Sequence, residues 1–126
     1  MMNRPAITLT SVVLGARDAN ALAAFYRDLL GWAVRCEEPG WVTLTDPGGG
    51  AGLSFQEEAD HVPPVWPAGP EEQQMMMHLD IQVDDLAAAS EYATQCGATI
   101  AGFQPQDNVR VFLDPAGHPF CLWVAV

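Results

Sequence analysis

The sequence contains no lysine, and its five basic residues, all arginines, stand against 16 acidic residues in a chain of 126. The formal net charge is therefore −11 at pH 7. Proteins that bind nucleic acid or anionic membranes use clustered positive charge to release counterions, and these arginines are scattered along the chain. We therefore expect neither nucleic acid nor a membrane surface as a partner, whereas the acidic balance permits a cationic ligand.

Long apolar runs and paired cysteine motifs are also missing. No segment approaches the roughly 20 apolar residues of a membrane span, and the N-terminal residues lack the apolar core and cleavage site of a signal peptide. Cys36, Cys96 and Cys121 form no CxxC pair. These features predict reduced thiols in a cytoplasmic protein. Hydrophobic residues make up 49% of the chain, which is enough for one domain, or two very small halves, to bury a core.

One short unit occurs twice in the chain. Residues 75–86, MMMHLDIQVDDL, read as an apolar lead-in, an alternating strand and an acidic helix start. The earlier copy is residues 11–18, SVVLGARD. Each copy precedes a helical pattern that ends at glycine, and an Asp-Pro turn follows later in each half. This self-similarity predicts two β-α-β-β-β modules, at residues 5–57 and 75–126.

The predicted linker, residues 58–74, differs in composition from both modules. It holds four prolines and no basic residue, so it cannot form a helix. Its one large aromatic residue, Trp66, would be exposed unless it covers something apolar. Trp66 therefore either fixes the linker to the outside of the fold or lines a pocket.

The strand–VDDL–helix–glycine unit and the DPxGHPFxLW ending resemble the vicinal oxygen chelate superfamily, which contains glyoxalase I, bleomycin-resistance proteins, extradiol ring-cleaving dioxygenases and fosfomycin-resistance enzymes. The segments LSFQ, MHLDIQVDD and DPAGHPFCLWV are most similar to those of short glyoxalase-like proteins. The resemblance covers nearly the whole chain. It implies an α+β fold whose two β-α-β-β-β modules form an incomplete barrel with a central cleft, in a homodimer.

The resemblance also implies where metal ligands would lie, on the first and last strands of each module. Carried over by position, these sites fall on Ser11, His78 and Cys121 and near Gly52 or Ser54, with Gln56 two residues further on. A hard divalent ion needs three or four strong donors, and this set offers one imidazole, a thiol, an amide and hydroxyls. We therefore predict no cofactor and no conventional metal centre. The alternative is a divalent metal held by His78, Cys121 and Gln56.

Two side chains are candidates for catalysis. His78 on an inward strand face can exchange a proton near neutral pH, or it is a histidine of the core held by a hydrogen bond to Gln56 or Asp80. Cys121 is a nucleophile only if a base such as His78 lowers the pKa of its thiol, and otherwise it packs inertly in its strand.

The predicted ligand-binding residues are Ser11, Trp41, Ser54, Gln56, Trp66, Asp80 and Cys121, with Met75–Met77 adding apolar surface. The function that we predict is the binding or processing of a small, mostly apolar organic molecule in the cleft between the modules, without a conventional metal triad. One alternative is a metal-dependent lyase or ring-cleaving dioxygenase that uses His78. Another is a protein that sequesters an antibiotic.

Overall fold

The structure is a computed structural model that describes residues 3–125. Its elements are, in chain order, β1 (Ser11–Ala16), α1 (Ala19–Leu30), β2 (Ala33–Glu38), β3 (Trp41–Thr45), β4 (Gly52–Glu57), β5 (Leu79–Gln82), α2 (Leu86–Cys96), β6 (Thr99–Ile100), β7 (Val109–Leu113) and β8 (Pro119–Trp123). The β-α-β-β-β order therefore occurs twice, which confirms the predicted α+β fold of two modules. Within the described range, none of the helices has the length and apolar character that crossing a membrane requires.

Each module forms its own four-stranded sheet. The strand orders are β1-β4-β3-β2 and β5-β8-β7-β6, so the first strand of each module pairs with its last. That pairing is parallel in both sheets, and the other pairings are antiparallel. The two sheets do not close into a complete barrel.

The same local signals set the ends of both helices. The side chains of Asp18 and Asp85 each accept a hydrogen bond from a backbone N–H three residues on, which satisfies a donor that the first turn leaves free. Gly31 and Gly97 end the helices with φ of 69° and 119°, a conformation that glycine adopts without a steric penalty.

The core is shared between the modules because α1 packs against residues of both. Phe25 and Tyr26 of α1 lie with their ring centroids 5.9 and 6.0 Å from that of Phe120 on β8. On its other side Tyr26 stacks on Phe55 of β4, at 5.7 Å. Helix α2 contributes one fully buried residue, Ala93. The hydrophobic core is therefore organised around the first helix.

A buried polar bond reinforces this junction. The Tyr26 hydroxyl donates to Asp114 Oδ2 at 2.7 Å, and Asp114 Oδ1 accepts from the backbone N–H groups of Ala116 and His118. Burial raises the pKa of Asp114, although its hydrogen bonds oppose the shift, and burial together with Asp114 raises the pKa of Tyr26. The His118 ring N–H donates to the Gly15 carbonyl at 2.7 Å, which ties the last turn of module two to β1.

Candidate functional site

Strand alternation gives each sheet one face that packs on the helices and one that points away from them, here called the open face. In β5, Leu79 and Ile81 pack against the core. His78 and Asp80 therefore lie on the open face. The same alternation in β8 buries Phe120 and Leu122 and turns Cys121 to the open face.

The open face of module one carries hydroxyl groups. Ser11 and Ser54 approach each other with Oγ atoms 2.5 Å apart, and Ser54 is buried. Thr43 is paired with Ser54 across β3 and β4. Its Oγ1 is buried and has no hydrogen-bond partner among residues 3–125. These three side chains, with Trp41 and Arg35, line a cavity of about 380 Å³, the module-one cavity.

The open face of module two carries different chemistry. His78 Nε2 lies 3.0 Å from Asp80 Oδ1. Asp80 is paired with Cys121 across β5 and β8, and one ligand atom from each of the three residues lies within 4.8 Å of the others.

The surroundings of the Cys121 thiol raise its pKa. Partial burial, the charge of Asp80 and a hydrogen bond to Asp80 all raise the pKa of Cys121, because each favours the protonated thiol. A reactive thiolate needs a positive field or a base, and here the nearest charged group is negative.

The His78 and Cys121 side chains line a cavity of about 180 Å³, the module-two cavity. Its other walls are largely apolar and include Met75, Val111 and Trp66. Trp66 donates weakly to the Phe103 carbonyl at 3.4 Å. Trp66 therefore both fixes the linker to module two and lines a cavity.

A third cavity, the inter-module cavity, lies between β1 and β5. It measures about 380 Å³ and is lined mainly by apolar side chains, among them Val12, Val13, Leu14, Val62, Pro64, Met76 and Met77. His78 lines this cavity as well as the module-two cavity. Met76 and Met77 are 85% and 71% exposed, so their flexible side chains are free to repack around a bound ligand.

A larger cavity of about 590 Å³ lies near the start of α1, but its polar groups are engaged in holding the fold together. Arg17 donates to the His61 carbonyl, and the His61 ring donates to the Ala116 carbonyl. Asp114 is held by Tyr26. We therefore assign this cavity a structural role.

The structure brings some predicted site residues together and separates others. His78, Asp80, Cys121 and Trp66 gather at module two, and Ser11, Ser54 and Trp41 gather at module one. Gln56 donates to Glu58 at 2.6 Å and lines none of the four cavities described above. His78 thus lies beside Asp80 rather than beside Gln56, and with a side chain 38% exposed it is not a residue of the core.

Sequence reasoning missed Thr43 and Val13 as cavity residues. Alternation along β3 predicts which face of the sheet Thr43 occupies. Only the pairing of β3 with β4 shows that its hydroxyl lies beside Ser54. Val13 is an apolar residue of a strand and reads as core, yet it is 48% exposed and lines the inter-module cavity.

The fold and its cavities define a paired β-α-β-β-β protein of the glyoxalase type. The chain resembles a glyoxalase/bleomycin resistance protein/dioxygenase family enzyme from Burkholderia phytofirmans PsJN, with a TM-score of 0.70 and 18% identity over 95% of this chain and 100% of that one. It resembles TnmS3, an antibiotic binding protein from Streptomyces sp. CB03234, with a TM-score of 0.65 and 18% identity over 98% and 100% of the two chains. It also resembles lactoylglutathione lyase from Agrobacterium tumefaciens, with a TM-score of 0.61 and 19% identity over 97% and 96%.

The model of the glyoxalase-like domain family matches residues 11–123, and the protein belongs to that family. This confirms the resemblance to the vicinal oxygen chelate superfamily that the sequence motifs indicate. No curated protein is significantly similar to this sequence.

The superfamily's metal positions do not form a conventional site within one chain. Ser11 and Ser54 bond to each other at the module-one cavity, whereas His78 and Cys121 belong to module two. Serine hydroxyls are poor ligands for a hard divalent ion, and the four positions supply no carboxylate. The residues present therefore do not fit such a centre.

Proposed function

We propose that the protein binds or processes a small, mostly apolar organic molecule in the inter-module cavity, beside His78. The observation that carries this proposal is the apolar wall of that cavity around a few polar groups. Small-molecule sites are typically concave, largely apolar and about 300–1,000 Å³ in volume, with a few polar side chains that fix orientation. The cavity of about 380 Å³ fits that description.

His78 is the polar group best placed to act on such a molecule. It lines both the inter-module and the module-two cavities, and its Nε2 lies 3.0 Å from Asp80 Oδ1. An imidazole that a bound molecule can reach is able to act on it as a general acid or base. In an organic ligand that spans the two cavities, the atoms at the junction would contact this ring.

A second candidate function is a metal-dependent lyase or ring-cleaving dioxygenase centred on His78. The observation that favours it is the approach of an imidazole, a carboxylate and a thiol to within 4.8 Å. The similarity to a lyase and to a dioxygenase-family enzyme, which establishes the fold alone, is consistent with this chemistry.

A third candidate, sequestration of an antibiotic, is supported by the charge of the chain. A net charge of −11 attracts cationic compounds over a distance of about 10 Å at moderate salt, and the open cavities would hold their apolar parts. The structural likeness to an antibiotic binding protein agrees with this proposal.

The cellular setting that we propose follows from charge, thiols and exposed surface. The three free cysteines suit the reducing cytoplasm, and the acidic surface disfavours nucleic acid as a partner.

Ile7 and Leu9 are 68% and 72% exposed, and we propose that a second copy of the chain covers them in a homodimer. Sedimentation of the wild type and of the Ile7→Glu/Leu9→Glu variant tests this, because the variant should be monomeric where the wild type is dimeric.

A thermal-shift panel of cationic antibiotics and aromatic metabolites tests the binding proposal. We expect at least one compound to raise the Tm of the wild type and to lose most of that effect in Met77→Arg, which places a positive charge at the inter-module cavity. Ile100→Arg is the matched control, because Ile100 is 53% exposed and lies on an edge strand away from the cavity.

Two results would contradict the proposal. In one, the compounds stabilise Met77→Arg as strongly as the wild type. In the other, no compound shifts the Tm, while turnover of an α-ketoaldehyde–thiol adduct or of a catechol is measured. The second result would favour the lyase or dioxygenase function.

A further inference from the structure

Two of the three histidines of the chain lie beside each other at the inter-module cavity. His61 belongs to the segment between the modules and His118 to the last turn of module two, and their ring centroids are 5.0 Å apart. Both residues line the cavity. Neither is among the positions that the superfamily resemblance supplies.

The backbone fixes the tautomer of both rings. His61 Nε2 lies 2.8 Å from the Ala116 carbonyl oxygen, and His118 Nε2 lies 2.7 Å from that of Gly15. A carbonyl oxygen only accepts hydrogen bonds, so each Nε2 carries a proton. In a neutral imidazole with its proton on Nε2, the other nitrogen, Nδ1, is an acceptor. The pair therefore offers two hydrogen-bond acceptors that these bonds to the backbone do not use.

The pair is more enclosed than the other polar groups of this cavity. His61 and His118 are half-buried, whereas the third histidine and the two glutamines that line the cavity are exposed. Tyr26 lines the cavity too, but its hydroxyl is bound to Asp114. A polar atom of a ligand that lies within the cavity, rather than at its mouth, therefore meets this pair.

The charges around the cavity favour a neutral ligand group. As the described residues form it, the cavity is lined by no acidic residue and no arginine. An ammonium group inside it would lack a carboxylate partner, and burying an unpaired charge is costly. A carboxylate would face the lone pairs of neutral imidazoles in a chain whose net charge is −11. A hydroxyl group avoids both costs and donates the hydrogen bond that Nδ1 can accept.

We propose that the inter-module cavity selects a neutral, hydroxyl-bearing apolar molecule, and that His61 and His118 determine this specificity by accepting the hydroxyl proton at Nδ1. This inference rests on the proposed function, namely a ligand in this cavity, and adds the polar group that the ligand carries. It places the hydroxyl at the histidine pair and leaves His78 to contact other atoms of the ligand.

Equilibrium dialysis with three naphthalenes of similar size tests the specificity, at about pH 8, where free imidazole side chains are mostly neutral. 2-Naphthol donates a hydrogen bond, 2-methoxynaphthalene has the same rings without the donor, and 2-naphthoate carries a negative charge. We expect 2-naphthol to bind the wild type about 5–10-fold more tightly than either of the others, which is the contribution of one net hydrogen bond.

The double variant His61→Phe/His118→Phe tests the role of the pair. Phenylalanine keeps an aromatic ring and removes both nitrogens, so the preference for 2-naphthol over 2-methoxynaphthalene should disappear. Tyr92→Phe is the matched control, because it removes a side-chain donor to a backbone carbonyl, that of Asp28, and Tyr92 lines none of the cavities described above. This control should keep the preference. Circular dichroism shows whether each variant folds.

Nitrogen NMR of histidine-labelled wild type gives a readout that does not depend on the folding of the double variant. His61 and His118 should show a protonated Nε2 and an unprotonated Nδ1 in the free protein. 2-Naphthol should shift the Nδ1 signal of at least one of them in a saturable way, and 2-methoxynaphthalene should not. The single variants His61→Phe and His118→Phe assign the signals.

The inference is overturned if 2-naphthol and 2-methoxynaphthalene bind the wild type equally, if 2-naphthoate binds most tightly, or if none of the three binds. A folded double variant that keeps the preference also overturns it, as does a 2-naphthol complex whose Nδ1 signals are unmoved. Equal binding of the two neutral probes, weakened in Met77→Arg, would leave the proposed function intact, because the cavity would then hold the apolar rings without recognising the hydroxyl.

Discussion

Modules one and two have the same order of elements and the same strand pairing, but their open faces carry different chemistry. In each sheet, three paired residues on neighbouring strands can be compared. In module one they are Val13, Ser54 and Thr43, on β1, β4 and β3. In module two they are Asp80, Cys121 and Val111, on β5, β8 and β7. Where module two has His78, module one has Ser11. The duplicated frame therefore constrains the face that packs on the helices, while the open face is free to diverge.

The two helices differ in a similar way. Helix α1 buries five side chains, and two of them, Phe25 and Tyr26, reach Phe120 of module two. Helix α2 buries only Ala93. Because α1 serves both sheets, module two depends on module one for its core. The open-face residues of module two are therefore carried by a sheet whose core packing comes largely from α1 of module one.

The largest expected effect tests this dependence. Phe120→Ala should lower the free energy of unfolding by about 3–5 kcal/mol, because the ring is fully buried and packs against Phe25, Tyr26 and Phe112. Ile100→Ala, an exposed position in the same module, should change it by less than about 0.5 kcal/mol. Urea denaturation measures both values. Equal losses in the two variants would show that module two is not packed on α1 as described.

The two Asp-Pro turns should differ in their contribution to stability. Asp46 and Asp114 both accept backbone N–H groups of their own turns, but only Asp114 also accepts the Tyr26 hydroxyl. Asp114→Ala leaves buried donors without a partner and should cost about 2–4 kcal/mol, whereas Asp46→Ala should cost about 1 kcal/mol or less. Thermal denaturation of both variants checks the difference. Equal costs would mean that the turns are interchangeable.

Asp114 should also give the stability a distinctive pH dependence. Burial raises its pKa above the usual value of 3.8, so the folded protein holds this proton to higher pH than the unfolded chain does. The stability gained from Asp114 is complete below that usual value and is lost as the pH rises through the raised folded-state pKa. The free energy of unfolding of the wild type relative to Asp114→Asn should therefore fall as the pH rises over this window. A difference that stays constant or grows with pH would refute it.

The smallest expected effect concerns Thr43, one of the three hydroxyl-bearing residues that line the module-one cavity. Thr43 Oγ1 is buried and lacks a hydrogen-bond partner within the described chain, so Thr43→Val should raise the free energy of unfolding by about 1 kcal/mol. Thr45→Val, on the same strand and face but exposed, is the control and should change it little. A loss of stability in Thr43→Val would show that the hydroxyl makes a stabilising bond.

The order of the elements is predictable from the sequence because the β-α-β-β-β pattern occurs twice. The ends of the helices are predictable because the capping residues and terminal glycines are local signals. Asp18, Asp85, Gly31 and Gly97 each act within a few residues of where they stand in the chain. The meeting of Tyr26 with Asp114 is not local, since 88 positions separate them. No periodicity in the sequence indicates which helix will serve both sheets.

The candidate site is predictable only in part, for the same reason. Alternation places His78 and Asp80 on one face, but only the pairing of β5 with β8 brings Cys121 beside them. Gln56 occupies a plausible face of β4, yet its amide is taken by Glu58. Met75–Met77 are predicted to add apolar surface to the ligand site, but the sequence does not show that Met76 and Met77 are exposed at the inter-module cavity while Met75 lines the module-two cavity.

Methyl NMR of methionine-labelled protein tests the binding of a ligand between the modules most directly. Met76 and Met77 line the inter-module cavity, and Met75 lines the module-two cavity. Titration with a compound that raises the Tm should shift the methyl signals of Met76 and Met77 in a saturable way, with assignment by single Met→Leu variants. If such a compound stabilises the protein and leaves both signals unmoved, its site lies elsewhere, and the inter-module cavity is not the binding site.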